Sequence, residues 1–320
     1  MKIIAGSNSK EIAHKVASLL YERCVPVTML KFNDGELEPT IEESIRNEQI
    51  FIIQSTNSPA ENIMELLLLI DACKRASAKQ INIIIPYFGY GRQDRQDDKR
   101  KSVGSKLIID IIEKACTPVP GRIATFDLHT MQTQAYSNFP FEHLHSHTIF
   151  REFLINLKKN NLVIASPDVG GIKRAKLFLK YRPDAEMVMI DKVRSGPNKV
   201  KSFTLIGEVK DKDVLIVDDM IDTGGTLFGA SDYLTENGAR SVRAVVTHPL
   251  FLTHPESSIK KILKNFDKSS LKELITSDTI LHSDIIKNKN IKVFSTAPLI
   301  AEFIRRIITG DSISAINSVD

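Results

Sequence analysis

Short apolar, β-branched runs alternate with helical segments along almost the whole chain, and this alternation limits the fold more than any other feature. The clearest strand candidates are Ile50–Ile53, Ile81–Pro86, Ile123–Phe126, Leu162–Ala165, Met187–Ile190, Val214–Val217 and Val242–Thr247. Helical patterns fill several gaps between them, at Asn62–Lys79, Val103–Lys114 and Thr226–Glu236. Strand and helix in turn predict βαβ units and a mostly parallel sheet. With 320 residues, two domains are the natural expectation. No low-complexity linker divides them, and the pattern is least regular near His143–Phe150. Ile50–Ser55, a helix and Ile81–Tyr87 are echoed by Val214–Asp219, a helix and Val242–His248. The echo suggests two related α/β units, and only the second copy carries acids at its strand end.

Composition narrows the function classes. No apolar run reaches membrane-spanning length, and the start, Met-Lys-Ile-Ile-Ala-Gly-Ser, lacks the basic and apolar regions of a signal peptide. A cytoplasmic protein with no membrane partner is expected. Cys24, Cys73 and Cys116 are far apart and odd in number, which predicts reduced, buried thiols and no Cys-x-x-Cys metal knuckle. The net charge of +4 is mild. The dense basic stretch Arg92–Lys101 is interleaved with Asp94, Asp97 and Asp98, so nucleic acid is not expected as a partner.

In open parallel sheets, ligands bind beyond the carboxyl ends of the strands. The strongest such loop is Val217-Asp218-Asp219-Met220-Ile221-Asp222-Thr223-Gly224-Gly225-Thr226. Gly224 and Gly225 allow tight backbone geometry, Thr223 and Thr226 offer hydroxyls, and a helix start offers amides to an anion. That is a phosphate cradle. Two adjacent carboxylates would repel a phosphate, so Asp218 and Asp219 should face a sugar diol or a metal. A phosphate and vicinal hydroxyls together describe ribose 5-phosphate. The bland alternative is a turn whose acids only cap the helix.

Three other stretches also point to chemistry. His129 follows a strand, where an imidazole can ligate a divalent ion or bond a phosphate. Asp168 precedes Gly170-Gly171 and the basic run Lys173-Arg174-Ala175-Lys176, and either helps hold Mg²⁺ near phosphates or caps the helix. His143, His145 and His147 alternate, which could suit a transition metal, but nothing adjacent in sequence completes a site, so a polar edge strand is expected.

The Val217–Thr226 run resembles the phosphoribosyl pyrophosphate (PRPP) signature of type I phosphoribosyltransferases and PRPP synthetases. Further motifs resemble the synthetase family: Pro86-Tyr87-Phe88-Gly89-Tyr90-Gly91-Arg92-Gln93-Asp94-Arg95, Asp127-Leu128-His129, Ser166-Pro167-Asp168-Val169-Gly170-Gly171, Phe32-Asn33-Asp34-Gly35-Glu36 and Asp191-Lys192-Val193-Arg194. They stand in family order and span nearly the whole chain. The resemblance implies two tandem type I phosphoribosyltransferase-like domains, at 1–146 and 147–320, with the last twenty or so residues returning to the first. It implies transfer of the β,γ-diphosphate of ATP to ribose 5-phosphate, with Mg²⁺ as cofactor. ATP would be bound by Phe32, Asp34, Glu36, Arg92, Gln93, Asp94 and His129. Ribose 5-phosphate would be held by Asp218, Asp219, Asp222, Thr223, Gly224, Gly225 and Thr226. His129 and Asp168 would serve the metal. Lys192 and Arg194 would be catalytic, on a mobile loop over Asp191–Lys199 whose Gly196 and Pro197 favour a turn. A homo-oligomer built from dimers, typically a hexamer, is implied, with an anion-responsive regulatory site at Ser44, Arg46, Arg100 and Ser312. The chain departs from the family at Ala135-Tyr136-Ser137, where Gly-Phe-Phe is usual, and at His145, where Tyr is common. Pro249 replaces a usual Gly, and Thr253–Leu271 is longer and more basic than usual.

Overall fold

The computed structural model describes residues 1–97, 100–157, 161–196, 199–251 and 259–318, with backbone alone at 192–196 and 199–202. Two compact units are present: Met1–His145 with Ser295–Ser318, and Ser146–Phe294. In the first, β1 (Lys2–Ala5) leads through α1 (Lys10–Leu19) to a separate hairpin of β2 (Val27–Lys31) and β3 (Leu37–Ile41). Then come β4 (Gln49–Ile53), α2 (Glu61–Arg75), β5 (Gln80–Ile85), α3 (Gly104–Cys116), β6 (Gly121–Phe126) and β7 (Phe141–Leu144). The main sheet is all parallel, in the order β1-β4-β5-β6-β7.

The second unit holds α4 (Arg151–Asn156), β8 (Leu162–Ser166), α5 (Ile172–Leu179), β9 (Glu186–Gly196), β10 (Lys199–Ile206), β11 (Asp213–Ile221), α6 (Gly225–Glu236), β12 (Ser241–Pro249), α7 (Ile259–Lys268), β13 (Leu271–Ser277), α8 (Ser283–Ile286) and β14 (Ile291–Phe294). Its sheet runs β10-β9-β8-β11-β12-β13-β14, parallel except where β10 meets β9. The sequence echo becomes β4-α2-β5 and β11-α6-β12, each a pair of adjacent parallel strands. After β14, α9 (Ala297–Thr309) belongs to the first unit, where it packs on α1. The helix after β7, α4, belongs to the second. Each unit therefore receives the helix that follows the other's last strand.

The continuous apolar runs make these strands because both sheet faces are covered. Ile50, Phe51, Ile52 and Ile53 are fully buried, as are Ile83, Ile84 and Ile85 on the neighbouring strand. Each such side chain contributes about 1.5–3 kcal/mol relative to exposure. α2 stops at Arg75, short of the predicted Lys79, because Ser77 turns left-handed (φ 63°) and the Ala78 amide bonds back to the Cys73 carbonyl at 3.1 Å. Burial pushes the thiols of Cys73 and Cys116 up to about 12, so both stay protonated. Contrary to expectation Cys24 is only half-buried, at a bridge outside the main strands. Among the described residues no helix is long and apolar enough to cross a membrane.

Candidate active site

In the second unit β8 and β11 are neighbours; Asp168 follows β8, and Asp218 and Asp219 lie within β11 just past its last pairing with β8 at Ile216, rather than after the strand's end. Val217 is fully buried, so the strand is held by the core up to the residue before the acids. Asp219 is 5 % exposed, whereas Asp218 is half-buried. The Asp219 amide donates to Asp218 Oδ1 at 2.9 Å, which fixes the first carboxylate over the second residue's backbone. Arg174 on α5 lies 3.8 Å from Asp218 Oδ1 and 3.8 Å from Asp219 Oδ2, so one guanidinium spans both acids. The basic run before it had suggested a charged helix face but not this bridge.

Asp222, Thr223 and Gly224 form the turn between β11 and α6, whose first residues are Gly225 and Thr226. Gly224 has φ 79°, and a Cβ there would stand 2.3 Å from the Phe228 ring, so both conformation and space require glycine. The Phe228 amide makes the first helical bond, to the Gly224 carbonyl at 2.8 Å. The amides at Gly225, Thr226 and Leu227 precede it and have no carbonyl to accept them within the helix, which makes this end an anion cradle.

Burial and the facing Asp219 carboxylate push the Asp218 carboxyl up to about 8, against the opposing pull of Arg174. An unfolded chain releases that proton near pH 4. Between about pH 4 and 8 the folded chain therefore holds a proton that the unfolded chain lacks, and stability falls as pH rises through this window. Asp218→Asn removes the penalty. In metal-free buffer its melting temperature should exceed that of the unchanged chain by a few degrees at pH 8, at about 2–4 °C per kcal/mol, and by less at pH 5. Equal melting curves at both pH values would show that water relieves the crowding.

Asp168 Oδ1 accepts from the Gly171 amide at 2.9 Å, so it caps the start of α5. It also adds negative charge to the patch around Asp218. The three carboxylates are oxygen ligands of the kind Mg²⁺ prefers, although among the described residues they do not gather closely enough to form one ion's donor set as they stand.

The lid assignment is corrected in shape. Instead of a loop over Asp191–Lys199, β9 continues to Gly196 and pairs antiparallel with β10, Lys192 opposite Phe203 and Arg194 opposite Val200. Backbone pairing holds 191–196 extended. The side chains of Lys192 and Arg194, and Pro197 and Asn198, lie outside the described residues.

The remaining predicted residues lie in the first unit, apart from this patch in sequence. Phe32, Asp34 and Glu36 are exposed at the tip of the β2–β3 hairpin. The Glu36 amide donates to Asp34 Oδ1 at 3.1 Å, and Gly35 (φ 97°) makes the turn. Arg92 and Gln93 are exposed and Asp94 is half-buried, on the loop from β5 to α3. Gln93 is held from behind, its carbonyl accepting from the Ser105 amide and hydroxyl, each at 3.1 Å. Tyr136 donates to the Asp94 carbonyl. His129 is exposed just past β6. Ser44, Arg46, Arg100 and Ser312 are exposed. The expectation for the three histidines needs revision. β7 is an edge strand as read, but His143 and His145 meet Asp127, whereas His147 bonds Tyr181 in the second unit. The turn after β7 separates His147 from the other two, and sequence spacing alone did not reveal it.

Residues 1–116 match the family model for the N-terminal domain of ribose phosphate pyrophosphokinase, and residues 142–282 match that for a phosphoribosyl transferase domain. The chain is 42% identical to a ribose-phosphate pyrophosphokinase of Porphyromonas gingivalis, over 98% of this chain and 96% of that one. It is 40% identical to one from Helicobacter hepaticus, over 98% of each. The crystal structure of phosphoribosylpyrophosphate synthetase from Mycobacterium smegmatis superposes with a TM-score of 0.87 at 30% identity, covering 97% of this chain and 99% of that one. The two α/β units of this chain, each a mostly parallel sheet flanked by helices, are phosphoribosyltransferase-like, and the chain belongs to the ribose-phosphate pyrophosphokinase family.

Proposed function

We propose that the chain transfers the β,γ-diphosphate of ATP to the 1-hydroxyl of ribose 5-phosphate, releasing AMP and forming PRPP, through the residues assigned below. The observation that carries this reading is the pair Asp218–Asp219 set directly before the α6 cradle. A phosphate on the cradle leaves the ribose 2- and 3-hydroxyls to the acids. Asp222, Thr223, Gly224, Gly225 and Thr226 bind the 5-phosphate, and Arg174 keeps the acids apart and partly neutralised. Arg92, Gln93, Asp94 and His129 bind ATP, and His129 and Asp168 would each serve the metal. Bound Mg²⁺ supplies charge neutralisation on the triphosphate. Lys192 and Arg194 stabilise charge on the transferring group. Such transfers depend mainly on positioning and charge rather than on a strong base.

The exposed Phe32, Asp34 and Glu36 serve adenine bound to a neighbouring subunit, so the enzyme is a cytoplasmic homo-oligomer built from dimers, a hexamer in full. Light scattering from a stable monomer would remove that assignment.

An assay of AMP release dependent on ribose 5-phosphate tests the reading. Asp219→Ala should raise the KM for ribose 5-phosphate by roughly 10²-fold, since a lost hydrogen bond to a charged group costs about 1.5–3 kcal/mol. The KM for ATP should move only several-fold. Equal losses for both substrates would detach Asp219 from the sugar. The same assay titrated with inorganic phosphate checks Ser44, Arg46, Arg100 and Ser312 as a regulatory site. Phosphate should activate and ADP should inhibit partly non-competitively with ATP. No phosphate response with purely competitive ADP would discard it.

A further inference from the structure

Beyond β6 the chain turns at Asp127, a buried acid at φ 26°. A non-glycine residue rarely sits in this region, and where it does the strain tends to mark a functional position. The neighbouring strand β7 brings two imidazoles to the same carboxylate. His143 Nε2 lies 3.9 Å and His145 Nδ1 4.0 Å from Asp127 Oδ1, and the two rings are 4.4 Å apart. One ligand atom from each of the three residues falls within 4.8 Å of the others. His143 is 7% exposed and His145 19%, so the cluster is largely screened from bulk water but reachable.

The backbone under the cluster is held from both edges. On one side the parallel ladder pairs Phe126 with Leu144, and the Asp127 amide extends it to the Leu144 carbonyl at 3.1 Å. Among the described residues β7 is the last strand on the outer side, and the Asn317 side chain bonds its backbone there. Its Nδ2 donates to the His143 carbonyl at 2.9 Å, and its Oδ1 accepts from the His145 amide at 3.0 Å. One carboxamide therefore fixes both histidines.

We propose that Asp127, His143 and His145 form a binding site for a divalent transition cation of the zinc type, with water as fourth ligand. Two imidazoles and one carboxylate suit zinc, cobalt or nickel, whereas magnesium prefers oxygen alone. Ligand atoms around one such ion at 2.0–2.1 Å stand about 3.3 Å apart. The observed 3.9 and 4.0 Å need to close by about 0.6–0.7 Å, and the two imidazole nitrogens, within 4.8 Å of each other, by up to about 1.5 Å, which calls for side-chain rotation. At least one bond must be given up. The Leu128 amide donates to His143 Nε2 at 3.1 Å, so that nitrogen carries a lone pair and the ring proton sits on Nδ1. Losing one neutral hydrogen bond is a small cost beside a metal–nitrogen bond.

The test uses the full chain, stripped of metal and returned to excess Mg²⁺ so that oxygen-ligand sites stay filled. Co²⁺ and then Zn²⁺ are added. One Zn²⁺ per chain should remain after dialysis, and Co²⁺ should give the visible absorption of a four-coordinate nitrogen and oxygen site, which Zn²⁺ displaces. His145→Phe should weaken Zn²⁺ binding more than about 10²-fold and abolish the band, and Asn317→Ala should weaken it about tenfold by loosening the ligands. His143→Gln, whose amide oxygen can still accept from Leu128, gives an independent loss if His145→Phe folds poorly. Absence of Zn²⁺ uptake in the unchanged chain, or equal uptake by both histidine variants, would overturn the site.

Discussion

Removing divalent cations with excess chelator should abolish AMP release, and adding back Mg²⁺ or Mn²⁺ should restore it. The polyphosphate of ATP carries several negative charges. The second unit presents Asp168, Asp218 and Asp219, with Arg174 within 4 Å of the paired acids. Without further positive charge, that patch repels phosphate. The state of Asp218 adds a pH signature. Its carboxyl is held up to about 8 by burial and by Asp219. A cation binding to the patch must displace that proton, so cation affinity should climb with pH up to about 8 and then level. The measurement is activity against free Mg²⁺ at several pH values. Full activity in excess chelator would take the metal out of the mechanism, and a Mg²⁺ requirement independent of pH would take Asp218 out of the metal's surroundings.

Lys192→Ala and Arg194→Ala should each lower kcat by about 10²–10³-fold, with the KM values for ATP and ribose 5-phosphate changing only several-fold. Both residues lie on the outer part of β9, paired to β10 rather than to the core of the sheet. β10 is the last strand of that sheet, and the pairing slips between Lys199 and Val200 and again between Val200 and Ser202. An irregular two-stranded arm beyond the sheet can bend as a unit, carrying two cations with it. Contacts made only after such bending stabilise the transition state more than the ground state, so their loss falls on kcat. If the charges only steer substrate from afar, the loss appears in kcat/KM at low salt and fades as salt screens it. Measuring kcat and both KM values at two ionic strengths separates the two, and an unchanged kcat at saturation would sink the closing role.

The central strands were legible because each is buried on both faces, leaving an unbroken apolar run of the kind seen at Ile50–Ile53 and Val214–Val217. The β11–α6 turn was legible because Gly224 is required twice, by its φ and by the Phe228 ring. Long-range placement was not. Arg174 looked like one of several cations on a helix, and only the pairing of β8 with β11 brings it to Asp218 and Asp219. The hairpin arm was misread because Gly196 and Pro197 signal a turn but do not say whether the flanks pair. Asp127 lies sixteen residues before His143 in sequence, and only the β6–β7 register brings them together.

The exchange of α4 and α9 bears on how the chain is made. The first unit begins at Met1 but waits for Ser295–Ser318, so the second unit is enclosed within it in sequence. On the ribosome, the face of α1 that α9 covers stays open while the whole second unit is synthesised. At about 5–20 residues per second that is an interval of roughly ten to thirty seconds. During that time Ile12, Ala13, Val16 and Ala17, buried in the finished protein, lack their final cover. Termination short of α9 would make this state permanent. A chain cut after Phe294 should therefore leave an apolar face on its N-terminal half, although every strand of both sheets is already present.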